Sequence, residues 1–230
     1  MTSFQPERAA GEAVGTALLV GIGTGTIVAA ARGGGIPDAA MATAWFVAVL
    51  VPTLLFVRRT GAHLNPAVTL ALAASGRIDW RETPSYLVGQ FGGAFAASLA
   101  VAGLLGTGAH LGSTLVHGAP WRAFVGEFVF TAALIASVFL LADLGEGPHR
   151  WRLLGPPAVV GLSTYVIGPW SGSSLNPART LAPAVVSGSY ADLGLYLSVV
   201  PLAALLVALA WRPRAVDRLD RGPGRTAVDR

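Results

Sequence analysis

The sequence predicts an all-helical membrane protein in which six transmembrane helices and two half-spanning re-entrant helices form an inverted repeat. Three observations lead there. Apolar residues make up 53% of the 230 residues and charged residues only 12%, a balance unlike that of a water-soluble domain. Six stretches almost free of charge, at 13–31, 39–57, 85–109, 128–142, 153–169 and 193–211, approach the roughly 20 residues that cross a hydrocarbon core of about 30 Å. The octet LNPAVTLA at 64–71 returns as LNPARTLA at 175–182, changed only where Val68 gives way to Arg179.

The first apolar stretch follows Glu7, Arg8 and Glu12 and is too long for a signal-peptide core, so it is expected to stay as the first helix. The second carries Trp45 and ends at Arg58 and Arg59; the third carries Gln90. The fifth is the weakest, because Pro156, Pro157 and Gly168 cut into its apolar run. GEAVGTALL at 11–19 is answered by GEFVFTAAL at 126–134, which sets Glu12 against Glu127. Further on, Gln90 and Pro201 stand equally far behind Asn65 and Asn176. Each half thus holds three crossings and one octet, and an odd number of crossings makes the second half enter from the opposite face. We read one channel-forming domain over 1–211, with repeats at 8–109 and 122–211, followed by a basic, disordered tail at 212–230.

All sixteen basic residues are arginine. Thirteen of them (Arg8, Arg58, Arg59, Arg77, Arg81, Arg150, Arg152 and the six from Arg212 to Arg230) fall on one side of a six-crossing chain, which puts both termini in the cytoplasm. The basic balance therefore reflects topology; the tail lacks the aromatic interleaving of a nucleic-acid partner. The chain has no cysteine, which excludes disulfides and thiolate ligands. Asp, Glu and His nowhere show metal-ligand spacing. No cofactor and no enzymatic chemistry are expected.

Each octet reads as the start of a short helix. Asn65 and Asn176 are favoured N-caps, Pro66 and Pro177 suit the first helical position, and Ala67 and Ala178 continue the turn. Gly76 and Gly188 offer stops, so each helix has about ten residues and is roughly 15 Å long, half the bilayer core. Entering from opposite faces, the two would meet N-terminus to N-terminus near the midplane. Irregular backbone at that depth survives only where it is enclosed by protein or lines a wet cavity. TGAH at 60–63 and GPWSGSS at 168–174 therefore imply a polar path. Two opposed helix N-termini repel cations there, and two asparagine amides would fix the oxygen of a passing water with its hydrogens turned away, opposing proton hopping.

The paired motif, with GAHLNPAVT around the first copy and SLNPAR at the second, resembles the aquaporin family, also called major intrinsic proteins, over residues 8–211. The resemblance implies a homotetramer in the bilayer with one pore per subunit and a constriction on the outer side of the asparagines. By that resemblance Arg179 narrows the constriction, donates hydrogen bonds to the permeant and repels cations. Trp45, Thr164 and Ser173 complete it, with Gly168 as the alternative to Thr164 if the fifth helix slips by one turn. None of His63, His110, His117 or His149 lies in the fifth segment, so the histidine of water-restricted members is missing. A tryptophan facing threonine, serine and arginine looks like the filter of glycerol-permeable and nodulin-like members. Thr180 and the pair Tyr196-Leu197 depart from the glycerol-facilitator pattern.

Two further features carry alternatives, and a third carries a packing role alone. Glu12 and Glu127 either bond backbone N–H groups of the irregular loops or serve as proton relays. His63 either makes a structural hydrogen bond or lines and gates the path. Gly21 with Gly25, and Gly89 with Gly93, offer small faces for close helix packing. The resulting expectation is a passive cell-membrane channel for water and small uncharged solutes such as glycerol that excludes protons and ions. A strict water channel and a proton-coupled transporter of small neutral solutes are the alternatives.

Overall fold

A computed structural model describes residues 4–143 and 153–211; the basic tail, Arg150 and Arg152 lie outside them. Among the described residues the chain forms α1 (Pro6–Arg32), α2 (Asp38–Thr60), α3 (Pro66–Ala74), α4 (Thr83–Leu105), α5 (Pro120–Asp143), α6 (Gly155–Ser171), α7 (Pro177–Ser187) and α8 (Leu193–Ala210). α1, α2, α4, α5 and α8 are each long and apolar enough to cross a membrane. α6 has 17 residues and is the short crossing that its prolines foreshadow. Pro156 sits in its first turn, where a missing N–H costs nothing, and Gly172 closes it at φ 72°.

The polarity is turned outward compared with a soluble protein. Leu54, Leu55, Val88, Leu99, Leu104, Val129 and Leu206 are exposed, whereas Glu12, Glu127, Gln90, Asn65, Asn176 and Arg179 are buried. Such a surface fits lipid, and such an interior has to hydrogen-bond itself.

α1 packs on α4, α5 on α8, and α2 on α6 across the halves. The α1–α4 approach is the tightest. A Cβ on Gly93 would lie 2.0 Å from the Ala13 carbonyl oxygen, and one on Gly89 2.3 Å from that of Ala9, so here helix backbones touch. Gly21 and Gly25 do not share this role: a Cβ on either would meet only Ala97 or Val101 at 3.8 Å, an ordinary contact. The two glycine pairs have the same spacing, but only Gly89 and Gly93 face a neighbouring backbone.

Arg77, just beyond α3, bonds Asp143 at the end of α5 (2.7 and 3.1 Å) and the Trp211 carbonyl beyond α8 (3.2 Å). At the opposite end, the connection from α4 to α5 contains Ala109, His110 and Leu111 in succession at φ 48°, 51° and 55°. Left-handed backbone costs about 1–2 kcal/mol per residue that has a Cβ. It is held by Leu111, fully buried against Val28 and Val101, and by the Ser113 amide and hydroxyl, which both donate to the His110 carbonyl.

Candidate functional site: two half-helices on one cavity

The site is built on two loops, 61–65 and 172–176, that follow one plan. In the first, Ala62 and Leu64 take φ 49° and 53°; in the second, Ser173 and Leu175 take φ 48° and 53°. Left-handed conformations in β-carbon residues need support from their surroundings, and a buried carboxylate provides it in each half. Glu12 on α1 accepts from Thr60 Oγ1 (2.6 Å), His63 N (3.1 Å), Leu64 N (2.7 Å) and Gln90 Nε2 (2.8 Å). Glu127 on α5 accepts from Ser171 Oγ (2.8 Å), Ser174 N (2.8 Å) and Leu175 N (3.0 Å). Tyr86 and Tyr196 brace the loop starts, their hydroxyls donating to the carbonyls of Thr60 (2.8 Å) and Ser171 (2.5 Å). These tyrosines set the register of the repeat. Counting on from them, Gln90 corresponds to Val200, one residue short of the Pro201 that equal spacing from the asparagines would select.

The loops end at the two half-helices. Asn65 Oδ1 accepts from Ala67 N (2.9 Å); Asn176 Oδ1 accepts from Ala178 N (3.0 Å) and Arg179 N (3.3 Å). Pro66 and Pro177 occupy the first helical position. The amide nitrogens reach across the halves: Asn65 Nδ2 donates to Leu175 O (2.8 Å), and Asn176 Nδ2 to Leu64 O (2.9 Å). Each carboxamide nitrogen carries two N–H bonds. One is committed to the opposite loop, which fixes the other toward the cavity.

That cavity, of about 80 Å³, is lined by Trp45, His63, Asn65, Ser173, Asn176 and Arg179 together with an apolar wall that includes Leu19, Val49, Val68, Leu134 and Val160. Arg179 is 1% exposed. Its Nη1 donates to Gly112 O (2.7 Å) and its Nη2 to Gly172 O (3.4 Å), and its guanidinium carbon lies 4.5 Å from the centre of the Trp45 ring. No carboxylate among the described residues forms an ion pair with it. Carbonyl oxygens and an aromatic face hold the charge and leave N–H groups, Nε among them, without a protein acceptor.

Ser173 Oγ lies 2.7 Å from Ser163 Oγ on α6. Thr164 is buried and donates to the Val160 carbonyl (2.9 Å); Gly168 is half-buried near the end of α6 and accepts from Gly172 N (2.9 Å). From α6 the cavity is lined by Pro156 and Val160 and by neither Thr164 nor Gly168; Val160, one turn before Thr164, packs beside Trp45. Val160 went unnoticed in the sequence, although stepping back one helical turn from Thr164 would have found it. Gly112 carried no signal at all, since it lies 67 residues from the arginine it holds.

His63 is half-buried. Its Nδ1 lies 3.1 Å from Thr69 Oγ1, and its ring stacks on Tyr86 at 4.1 Å, 6° from parallel. Structural bond and cavity wall are thus both features of this one residue. The donors on Glu12 and Glu127 match the loop-support alternative: each carboxylate accepts two backbone N–H groups of its own loop and side-chain donors from the helices beside it.

Two short helices meeting N-terminus to N-terminus at one cavity that their asparagines line, inside a sheath of apolar helices, have the geometry of a membrane channel. The family model described as Major intrinsic protein matches residues 2–211, and the chain belongs to this family. Aquaporin NIP1-3 of Oryza sativa subsp. japonica is 34% identical over 217 residues, covering 94% of this chain and 75% of the relative. Aquaporin NIP1-1 of Zea mays is 36% identical over 202 residues, 87% of this chain and 71% of the relative. The fold is similar to the X-ray structure of the aquaglyceroporin from Plasmodium falciparum, with a TM-score of 0.76 over 94% of this chain and 99% of that one, at 24% identity.

Proposed function

We propose that this channel passes water and small uncharged solutes of glycerol size down their gradients while excluding protons and ions. One observation carries the proposal: Asn65, Asn176 and Arg179, whose N–H groups are not all taken by protein acceptors, line one cavity against a wall that is largely apolar. A permeant oxygen is then met by donors on one side and its carbon skeleton by Trp45, Val160 and Leu19 on the other. Fixed donors and two helix N-termini turn water's hydrogens away from the centre and oppose cations.

Trp45, Ser173, Arg179 and Thr164 are the selectivity residues in this proposal, with Val160 setting the width just inside them. The absence of histidine from α6 supports a filter wider than one for water alone. Rice and maize relatives named as aquaporins, and a fold shared with an aquaglyceroporin, support the same class of permeant. The assembly is proposed to be a homotetramer in the cell membrane, and the arginine distribution supports cytoplasmic placement of both termini. The donor-saturated carboxylates favour a passive channel over a proton-coupled transporter.

Stopped-flow light scattering on proteoliposomes tests this. Water permeability is expected to exceed that of empty vesicles with a low activation energy, and a glycerol gradient is expected to be followed by re-swelling. Water permeability at the empty-vesicle level would remove the channel reading. Water flow without glycerol flow would replace the solute range with a strict water filter.

A further inference from the structure

Besides the asparagines, the cavity receives a polar side chain from the equivalent place in each loop, His63 and Ser174. Each is backed by a threonine six residues further on: His63 Nδ1 lies 3.1 Å from Thr69 Oγ1, and Ser174 Oγ 2.5 Å from Thr180 Oγ1. Each threonine meets one more donor, Gln90 Nε2 at 2.9 Å on Thr69 and Thr114 Oγ1 at 3.2 Å on Thr180. Gln90, Thr69, Thr114, Thr180 and Ser174 are all buried, where hydrogen bonds are costly to leave unmade.

Gln90 Nε2 also donates to Glu12 Oε2 at 2.8 Å, so its two N–H bonds are both used, one on the carboxylate and one on Thr69. Thr69 oxygen therefore accepts from Gln90, and two arrangements remain for its contact with His63. In one the Thr69 hydrogen goes to a bare Nδ1 and the ring proton sits on Nε2; in the other Nδ1–H donates to the second lone pair of Thr69. Tyr86 stacks on the ring and fixes its plane, while Gly61 leaves room beside Nε2: a Cβ there would come within 3.2 Å of that nitrogen. In the outer half Thr114 donates to Thr180, Ser174 Oγ accepts from Asn176 N at 3.4 Å, and either hydroxyl of the Ser174–Thr180 pair can be the donor. When Thr180 donates, both lone pairs of Ser174 are engaged and its hydrogen is left to the cavity.

We infer that Thr69 and Thr180 are positioning residues, each passing a hydrogen bond forward so that His63 Nε2–H and Ser174 Oγ–H face the path as donors. With the two asparagine amides, the permeant then meets a row of four side-chain donors. Such a row selects small neutral solutes whose hydroxyl oxygens accept hydrogen bonds. The inference rests on the channel reading above, and its first test is independent of flux.

The full-length protein with nitrogen-15 histidine is reconstituted in vesicles, and the ring signals that vanish in His63→Asn are assigned to His63. Wild-type His63 is expected to carry its proton on Nε2; the preference is expected to be lost in Thr69→Val and restored in Thr69→Ser. A His63 proton on Nδ1 overturns the inference even if the vesicles conduct water, whereas vesicles that do not conduct while the proton sits on Nε2 overturn only the channel reading. For the outer half, Thr180→Val is expected to lower the ratio of glycerol to water permeability by about fivefold, the worth of one hydrogen bond, and Thr180→Ser to restore it. If Thr180→Val does not fold, Thr114→Val reads the same ratio from one bond further back. An unchanged ratio, or an equal fall in both permeabilities, overturns the outer half of the inference.

Discussion

The first and second halves of this channel share a scaffold and differ in what they place on it. Both have a carboxylate, two left-handed residues, a tyrosine brace and an asparagine cap. Yet where the first half has Val68, His63 and Gln90, the second has Arg179, Ser174 and Thr114 from the loop between α4 and α5. The shared parts all satisfy backbone groups that would otherwise be stranded at membrane depth. The parts that diverge line the cavity or, as with Gln90 and Thr114, reach it through a threonine that both halves share. Symmetry here answers the demands of folding in lipid, and the proposed selectivity is located where the symmetry ends.

The largest effect that tests this comparison comes from the carboxylates. Glu12→Leu strands four donors and Glu127→Leu three, at about 1–3 kcal/mol for each that finds no other partner. Both variants are expected to lower the thermal unfolding midpoint in detergent strongly, Glu12→Leu more so. A milder loss at Glu12 would mean that the two cages are not equivalent supports.

A second difference lies in helix packing. The first half brings α1 and α4 backbone to backbone at Gly93, whereas the tyrosine register puts Ala203 at the matching place on α8. Gly93→Ala should therefore cost about 1–3 kcal/mol by overpacking. Gly21→Ala, in ordinary contact, should stay within about 0.5 kcal/mol. Equal midpoints for the two variants would erase the distinction drawn between these glycines.

Arg179→Val makes the outer octet a copy of the inner one. Proton leak, read with a pH-sensitive dye inside vesicles, is expected to rise by about tenfold, which is a barrier change of only ~1.4 kcal/mol. An unchanged leak would mean that the asparagines and helix ends alone exclude protons. Tyr86→Phe and Tyr196→Phe should each cost about 1 kcal/mol, and by similar amounts, because each removes one bond to an equivalent carbonyl.

Sequence reasoning went furthest where structure is local. Asn65-Pro66 and Asn176-Pro177 announce helix starts because cap and first-turn preferences act within a few residues, and the six crossings follow from the thickness of the bilayer. The pairing of Glu12 with Glu127 was legible because the repeat is written out in like residues. What escaped depends on contacts between distant segments: Gly112 holding Arg179, each asparagine bonding the opposite loop, Val160 on the cavity wall. The register slip at Pro201 has the same origin, since only the tyrosine-to-carbonyl bonds, closed in three dimensions, reveal where one residue was lost.

The crossed amides also bear on how the chain is made. Asn65 finds its acceptor 110 residues later, and the Leu64 carbonyl waits for a donor 112 residues away. A ribosome that has delivered only the first four helices has thus released a unit packed through Gly89 and Gly93, yet with an open polar seam at its centre. That seam requires water or a chaperoning helix until α7 arrives. A fragment ending after α4 is therefore expected to insert but to remain sensitive to membrane-embedded proteases. Resistance should appear only once the second octet has been synthesised, and a pulse-chase series of truncated chains would reveal the length at which it does.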